Sequence, residues 1–116
     1  MKLLVSEAET DALTHWMEQG AHHISTTLTE TELRRSAQRL GFTQMATTAV
    51  LDRLDLFDVV RGDYSTAGHM PGRDLRSLDA LHLAAALRLG VDRFVTYDAR
   101  QADAAADLGL CVVSPR

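Results

Sequence analysis

Apolar and polar positions along the chain switch repeatedly between a helical period and an extended one. Ala12, Leu13, Trp16 and Met17 share one helical face behind Ser6 and Glu9, a pair with capping-box spacing, so a helix is predicted over about 7–19 and Gly20 ends it. His22 to Thr26, around Ile24, reads as a short strand. Thr29 and Glu32 repeat the capping-box spacing and open a second helix that buries Leu33, Ala37 and Leu40 before Gly41 closes it. A third helix fits about 44–54, with Ala46, Val50 and Leu54 in line. Leu56 to Val60 reads as a strand, and 61–73, with three glycines and Pro71, as a loop.

The clearest helical pattern covers about 75–89, apolar around most of its circumference, which predicts packing on more than one side. Gly90 terminates it. Phe94 and Val95 begin a strand that ends in Thr96-Tyr97-Asp98, followed by a helix over about 99–108 and a last short strand at 111–113. Helices set between short apolar strands imply an α/β fold, a parallel sheet flanked by helices. Residues 1–5, Met-Lys-Leu-Leu-Val, run into Ser6 without a turn and are too short for a strand plus its connection. The sheet is therefore expected to begin abruptly.

Length and composition narrow the class. The 116 residues make one domain, 1–116, with no room for a second core. Cys111 is the only cysteine and sits in an apolar run, so it reads as a buried strand residue; disulfide frameworks and zinc-knuckle spacing are excluded. No apolar stretch approaches the length of a membrane span and the N-terminus lacks signal-peptide order, so a cytoplasmic location is expected. The formal net charge of −4 argues against coating nucleic acid by bulk electrostatics. It leaves room for local contact, because eleven arginines accompany a single lysine, and arginine is the better bidentate partner for phosphate or carboxylate.

Three acids fall where such sheets bind ligands, at the carboxyl ends of strands. Glu32 lies in the first turn of a helix that follows a strand, Asp79 early in the long helix, and Asp98 at a strand exit before a helix. Clustered carboxylates raise one another's pKa and call for a cation; hard ions such as Mg²⁺ or Mn²⁺ meet that need with oxygen ligands. Each acid also has a plain structural explanation. Glu32 completes the capping box begun by Thr29, Asp98 makes an N-cap with Gln101, and Asp79 complements the helix dipole. Asp79 fits its plain explanation least, since Leu78, Ala80 and Leu81 flank it in an apolar helix.

The runs Arg76-Ser77-Leu78-Asp79-Ala80-Leu81-His82-Leu83-Ala84-Ala85-Ala86 and Gly90-Val91-Asp92-Arg93-Phe94-Val95-Thr96-Tyr97-Asp98-Ala99-Arg100 resemble the C-terminal half of a PIN-domain ribonuclease, more narrowly the VapC toxins of toxin–antitoxin pairs. Ser25 to Leu33 is similar to the family segment that carries its glutamate. The resemblance spans essentially the whole chain. It implies a PIN-like fold with Glu32, Asp79 and Asp98 as catalytic, metal-coordinating acids, Mg²⁺ (or Mn²⁺) as cofactor, RNA as substrate and a VapB-type antitoxin as partner, with a homodimer expected. One departure stands out. Family members begin with a central strand ending in an aspartate, whereas no residue in 1–5 is acidic. The reading is therefore a PIN-like domain with its N-terminal strand absent, and the expected cause is a start codon assigned too late. Two Mg²⁺ ions are expected with four acids, and one held more weakly with three.

Arg35 and Arg39 follow Glu32 by three and seven residues on the same helical face and, with Arg100, are candidates for holding RNA phosphates; an acidic partner segment or solvent is the alternative. Arg73 and Arg76, near Asp79, are candidate ion-pair partners or part of an RNA groove. His82, one turn beyond Asp79, reads as a buried, hydrogen-bonded histidine rather than a ligand. Asp103 reads as solvated surface, and Arg61-Gly62-Asp63 as a chance tripeptide. The rival to an enzyme is a remnant without turnover that keeps a dimerising or antitoxin-binding surface. A nucleotide-binding domain is disfavoured, since no glycine-rich phosphate loop follows a strand.

Overall fold

Phe94 and Val95 are neighbours in one strand, both fully buried, and they serve different cores. Successive side chains of a strand point to opposite faces, so a strand with two buried neighbours must be covered on both sides. The computed structural model describes residues 2–5, 22–96 and 98–113. Its strands are β1 (Lys2–Val5), β2 (His22–Thr26), β3 (Asp55–Phe57), β4 (Arg93–Val95) and β5 (Cys111–Val113), all parallel in the order β3-β2-β1-β4-β5. The helices are α1 (Thr27–Leu40), α2 (Gln44–Leu51), α3 (Arg61–Gly68), α4 (Ser77–Leu89) and α5 (Ala99–Asp107).

On one face Phe94 and Ile24 meet Leu83 and Ala86 of α4 and Ala105 of α5. On the other, Val95 meets Leu51 and Leu54, with Leu33 of α1 and Val50 of α2 packed alongside. Ala80 to Ala86 of α4 are buried without interruption, as a helix packed on several sides requires. Gly41 (φ 79°) and Gly90 (φ 66°) close α1 and α4 in the left-handed conformation, as the sequence predicts. Between α1 and α2, Arg34 donates to Gln44 Oε1 (2.9 Å) and Thr48 Oγ1 (3.1 Å).

Five expectations are corrected. The sheet does not lack its first strand: Lys2–Val5 is the central one, paired in register with His22–Ile24 on one side and Arg93–Val95 on the other. Four residues suffice because the neighbouring strands are short too, five residues in β2 and three in β4, and the apolar Leu-Leu-Val run has nothing to interrupt an extended backbone. Residues 61–68 form α3 rather than a loop. Asp63 Oδ2 accepts from the Val60 N–H (3.1 Å), and Arg88 of α4 clamps both Asp63 oxygens (2.9 and 3.1 Å from Nε), which offsets the glycines' poor helix propensity. Thr29 is not a cap; α1 begins at Thr27, and the buried Thr29 hydroxyl bonds Ser25 Oγ at 2.6 Å. Leu40, the last residue of α1, is 67% exposed, one turn past the buried Ala37. Cys111 is exposed because β5 is an edge strand. The helix expected over 7–19, with its Ser6–Glu9 cap and Trp16–Met17 stripe, lies outside the described residues. Among those described, no helix is long and apolar enough to cross a membrane.

Candidate metal centre at the carboxyl edge of the sheet

Strand order reverses at β1, so the crevice at the carboxyl ends of β2, β1 and β4 is the natural place for a ligand. The three acids stand on helices that start at this edge. Thr26 ends β2 and is at once the N-cap residue of α1, which puts Glu32 in the second turn of that helix. Asp79 is the third residue of α4, which runs back toward β4. Asp98 is the N-cap of α5, immediately past β4.

Each acid is held differently. Glu32 does not cap α1; its Oε1 accepts a 2.6 Å hydrogen bond from His82 Nε2, and Oε2 bonds none of the described residues. Asp98 is a true cap, its Oδ1 accepting from the Arg100 N–H (2.8 Å) and the Gln101 N–H (3.0 Å). The carboxyl of Asp79, in the first turn of α4, is perturbed by its surroundings. Burial pushes its pKa above the usual 3.8, the charge of Asp98 pushes it further, and Glu32 adds to that against the opposing influence of His82 and Arg76. The fold thus brings Asp98 and Glu32 within electrostatic reach of Asp79.

A buried connection ties two of these elements together. Thr96 Oγ1 donates to Gln101 Oε1 (2.7 Å), Gln101 Nε2 donates to the Asp79 carbonyl (3.4 Å), and the Asp98 N–H donates to Thr96 Oγ1 (3.1 Å). The start of α4 and the start of α5 are thereby linked through a side chain that is wholly enclosed. The sequence marked Gln101 only as a capping partner and did not mark Thr26 or Thr96 at all. Their one signal was position, at the last turns before acidic helix starts.

In donor type and charge the acids fit a hard divalent ion: all are carboxylates, and Asp79 shows the mutual repulsion that a cation relieves. In spacing they are not assembled. Among the described residues no three His, Cys, Asp or Glu groups converge closely enough to hold a metal ion as they stand. The described β1, Lys-Leu-Leu-Val, contributes no carboxylate.

The arginines flank this edge. Arg35 and Arg39 line an open cleft of about 470 Å³ with Glu32, Ser36, Gln38 and Leu78, so they do share a face with Glu32. Arg39 is steadied by Ser36 Oγ (3.0 Å). Arg73 and Arg100 line a second cleft, about 280 Å³, together with the exposed Asp103. His82 is enclosed with both ring nitrogens bonded, as the sequence predicts. Arg61-Gly62-Asp63 opens α3 with Asp63 only 2% exposed, which removes it from any surface role.

This fold and edge define a class. The PIN domain family matches residues 1–107, and the chain belongs to that family. Ribonuclease VapC46 of Mycobacterium tuberculosis is 40% identical over 118 residues, covering 99% of this chain and 91% of the relative. Ribonuclease VapC35 of the same species is 40% identical over 122 residues, covering 99% and 90%. Within the PIN family the chain is therefore a homologue of the VapC ribonucleases. Two solved structures share the fold. The crystal structure of VapBC2 from Rickettsia felis bound to a DNA fragment from their promoter matches with a TM-score of 0.69 at 12% identity, over 100% of both chains. A PilT N-terminus domain protein, SSO1118 from Sulfolobus solfataricus P2, matches with a TM-score of 0.63 at 17% identity, over 98% of this chain and 87% of the other.

Proposed function

We propose that the chain is the toxin of a toxin–antitoxin pair, a Mg²⁺-dependent endoribonuclease that hydrolyses RNA phosphodiesters at Glu32, Asp79 and Asp98. The observation that carries this reading is the raised pKa of Asp79 through burial and the charges of Asp98 and Glu32, at the carboxyl edge where such sheets bind ligands. Relatives named ribonucleases that align along nearly the whole chain support it. A bound divalent ion would lower the pKa of an attacking water and neutralise the leaving oxygen. The chain's own part is to hold that ion through three carboxylates, drawn closer than they now stand. Arg35, Arg39 and Arg100 would take RNA phosphates on either side. The VapBC2 structure is of a toxin with its antitoxin, and we infer a VapB-type partner for this chain as well.

The test is cleavage of a mixed RNA substrate by the full chain with Mg²⁺ and with EDTA. Cleavage that needs Mg²⁺ and falls at least about a hundredfold in Asp79→Asn is the expected result. A second reading is favoured by the carboxylate-free β1 and the unassembled acids: a remnant that binds an antitoxin and turns nothing over. No cleavage and no metal affinity, with antitoxin binding intact, would decide for it.

A further inference from the structure

His82 lies one turn beyond Asp79 on α4 and is completely enclosed, yet its ring touches two other elements of the acidic edge. Nε2 is 2.6 Å from Glu32 Oε1 on α1, and Nδ1 is 3.1 Å from Thr26 Oγ1 at the end of β2. An ionised carboxylate only accepts, so the hydrogen of that bond sits on Nε2. The Thr26 hydroxyl, itself fully buried, anchors the ring's other nitrogen, Nδ1. Asp79 and His82 are three residues apart on one helix and therefore on neighbouring positions of one face. A bond from His82 to Glu32 thus sets where one acid stands relative to another carried by a different helix.

We propose that His82 is a positioning residue: the Thr26–His82–Glu32 chain holds the Glu32 carboxylate by Oε1 and leaves Oε2 open for a divalent cation. This rests on the reading of Glu32 as one of the cation's ligands. Glu32 is a half-buried side chain with several rotatable bonds, and no other bond to the described residues restrains it. A short bond to a charged acceptor from a ring that is itself locked is a strong restraint. Groups that orient metal-binding carboxylates in this way typically matter about tenfold or more to affinity.

Two measurements on the full chain test it. Long-range ¹H–¹⁵N spectra of the imidazoles need no metal; they should show a hydrogen held on His82 Nε2, with that signature weakened in Thr26→Val. Titration with Mn²⁺, followed by electron paramagnetic resonance, should show affinity falling roughly tenfold in His82→Leu. Affinity should be restored most of the way in His82→Gln, whose amide can donate from the place of Nε2. Circular dichroism melts check that each variant is folded, and if His82→Leu is not, the Gln and Thr26 variants with the ring spectra decide. An Nδ1–H ring, unchanged affinity in His82→Leu, or equal loss in the Leu and Gln variants would overturn the proposal. A native chain that takes up no Mn²⁺ defeats the cation reading instead; the ring spectra then judge the hold on Glu32 by themselves.

Discussion

Asp79 is an acid that folding makes harder to ionise, and the sign of that effect has a measurable consequence. Burial and the charges of Asp98 and Glu32 raise its pKa above the unfolded value of 3.8, so folding favours the protonated form. The corresponding stability is fully present below 3.8 and is lost as pH rises through the folded value. At pH 7 ionising this carboxyl is therefore less favourable in the folded chain than in the unfolded one. Asp79→Asn is expected to raise the melting temperature at pH 7, with the difference shrinking as pH falls toward 3.8; a lower melting temperature at pH 7 would contradict this. Mg²⁺ should stabilise the native chain, by roughly 2.7 kcal/mol at about a hundred times its Kd, and leave Asp79→Asn nearly unmoved. At this scale the sequence placed the three acids near helix starts at one edge of the sheet but assigned Glu32 the wrong plain role. Its local spacing suggested a cap, while its actual partner, His82, lies 50 residues away and no window of sequence could pair them. The cap at Asp98 was readable because both its bonds reach residues two and three positions on.

Element by element, the same division between local and distant causes decides what could be read. The helix at α4 and the strand at β2 follow from apolar spacing within their own lengths, whereas α3 is concealed by Gly62, Gly68 and the glycine and proline that follow it. What holds α3 is Arg88, 25 residues on. Burial alone would raise the pKa of Asp63, but the Arg88 and Val60 hydrogen bonds and the Arg88 charge outweigh it and hold the carboxyl below its ordinary range. Arg88→Met should cost about 2–3 kcal/mol in urea unfolding at pH 7, at the low end for a buried pair because the arginine is partly exposed. A depressed acid stabilises above the unfolded pKa of 3.8 and loses that contribution as pH falls through the folded value, so the penalty should fade on acidification. Gly62 has open space where a Cβ would go and no left-handed backbone to forbid one. Gly62→Ala is accordingly expected to stabilise α3 by about 0.5 kcal/mol, and a loss of stability would show that its backbone is constrained in another way.

Across the whole molecule, two pairs of strands, β3-β2 and β4-β5, meet only through β1. Alternating periods along the chain made the parallel α/β architecture readable, but the middle strand went unrecognised, because four residues carry too little pattern to show a period. Removing residues 1–5 should strip the ladder from the facing edges of both β2 and β4. The expected outcome is loss of the cooperative thermal transition by circular dichroism, and a truncated chain that melts like the native one would refute this role for β1.

The central place of β1 also sets an order of events at the ribosome. Lys2–Val5 is translated long before Arg93–Val95, the strand that must complete its second ladder. Until β4 and α5 have emerged, the nascent chain has an open sheet edge and Asp98 has no position relative to Glu32 and Asp79. A product stalled or cleaved before residue 93 would hold two of the three acids and no closed edge to gather them. On the reading of this protein as a toxin, the topology itself delays the appearance of the site until residues 93–107 have been made, an interval in which a partner already made could meet the chain as it folds.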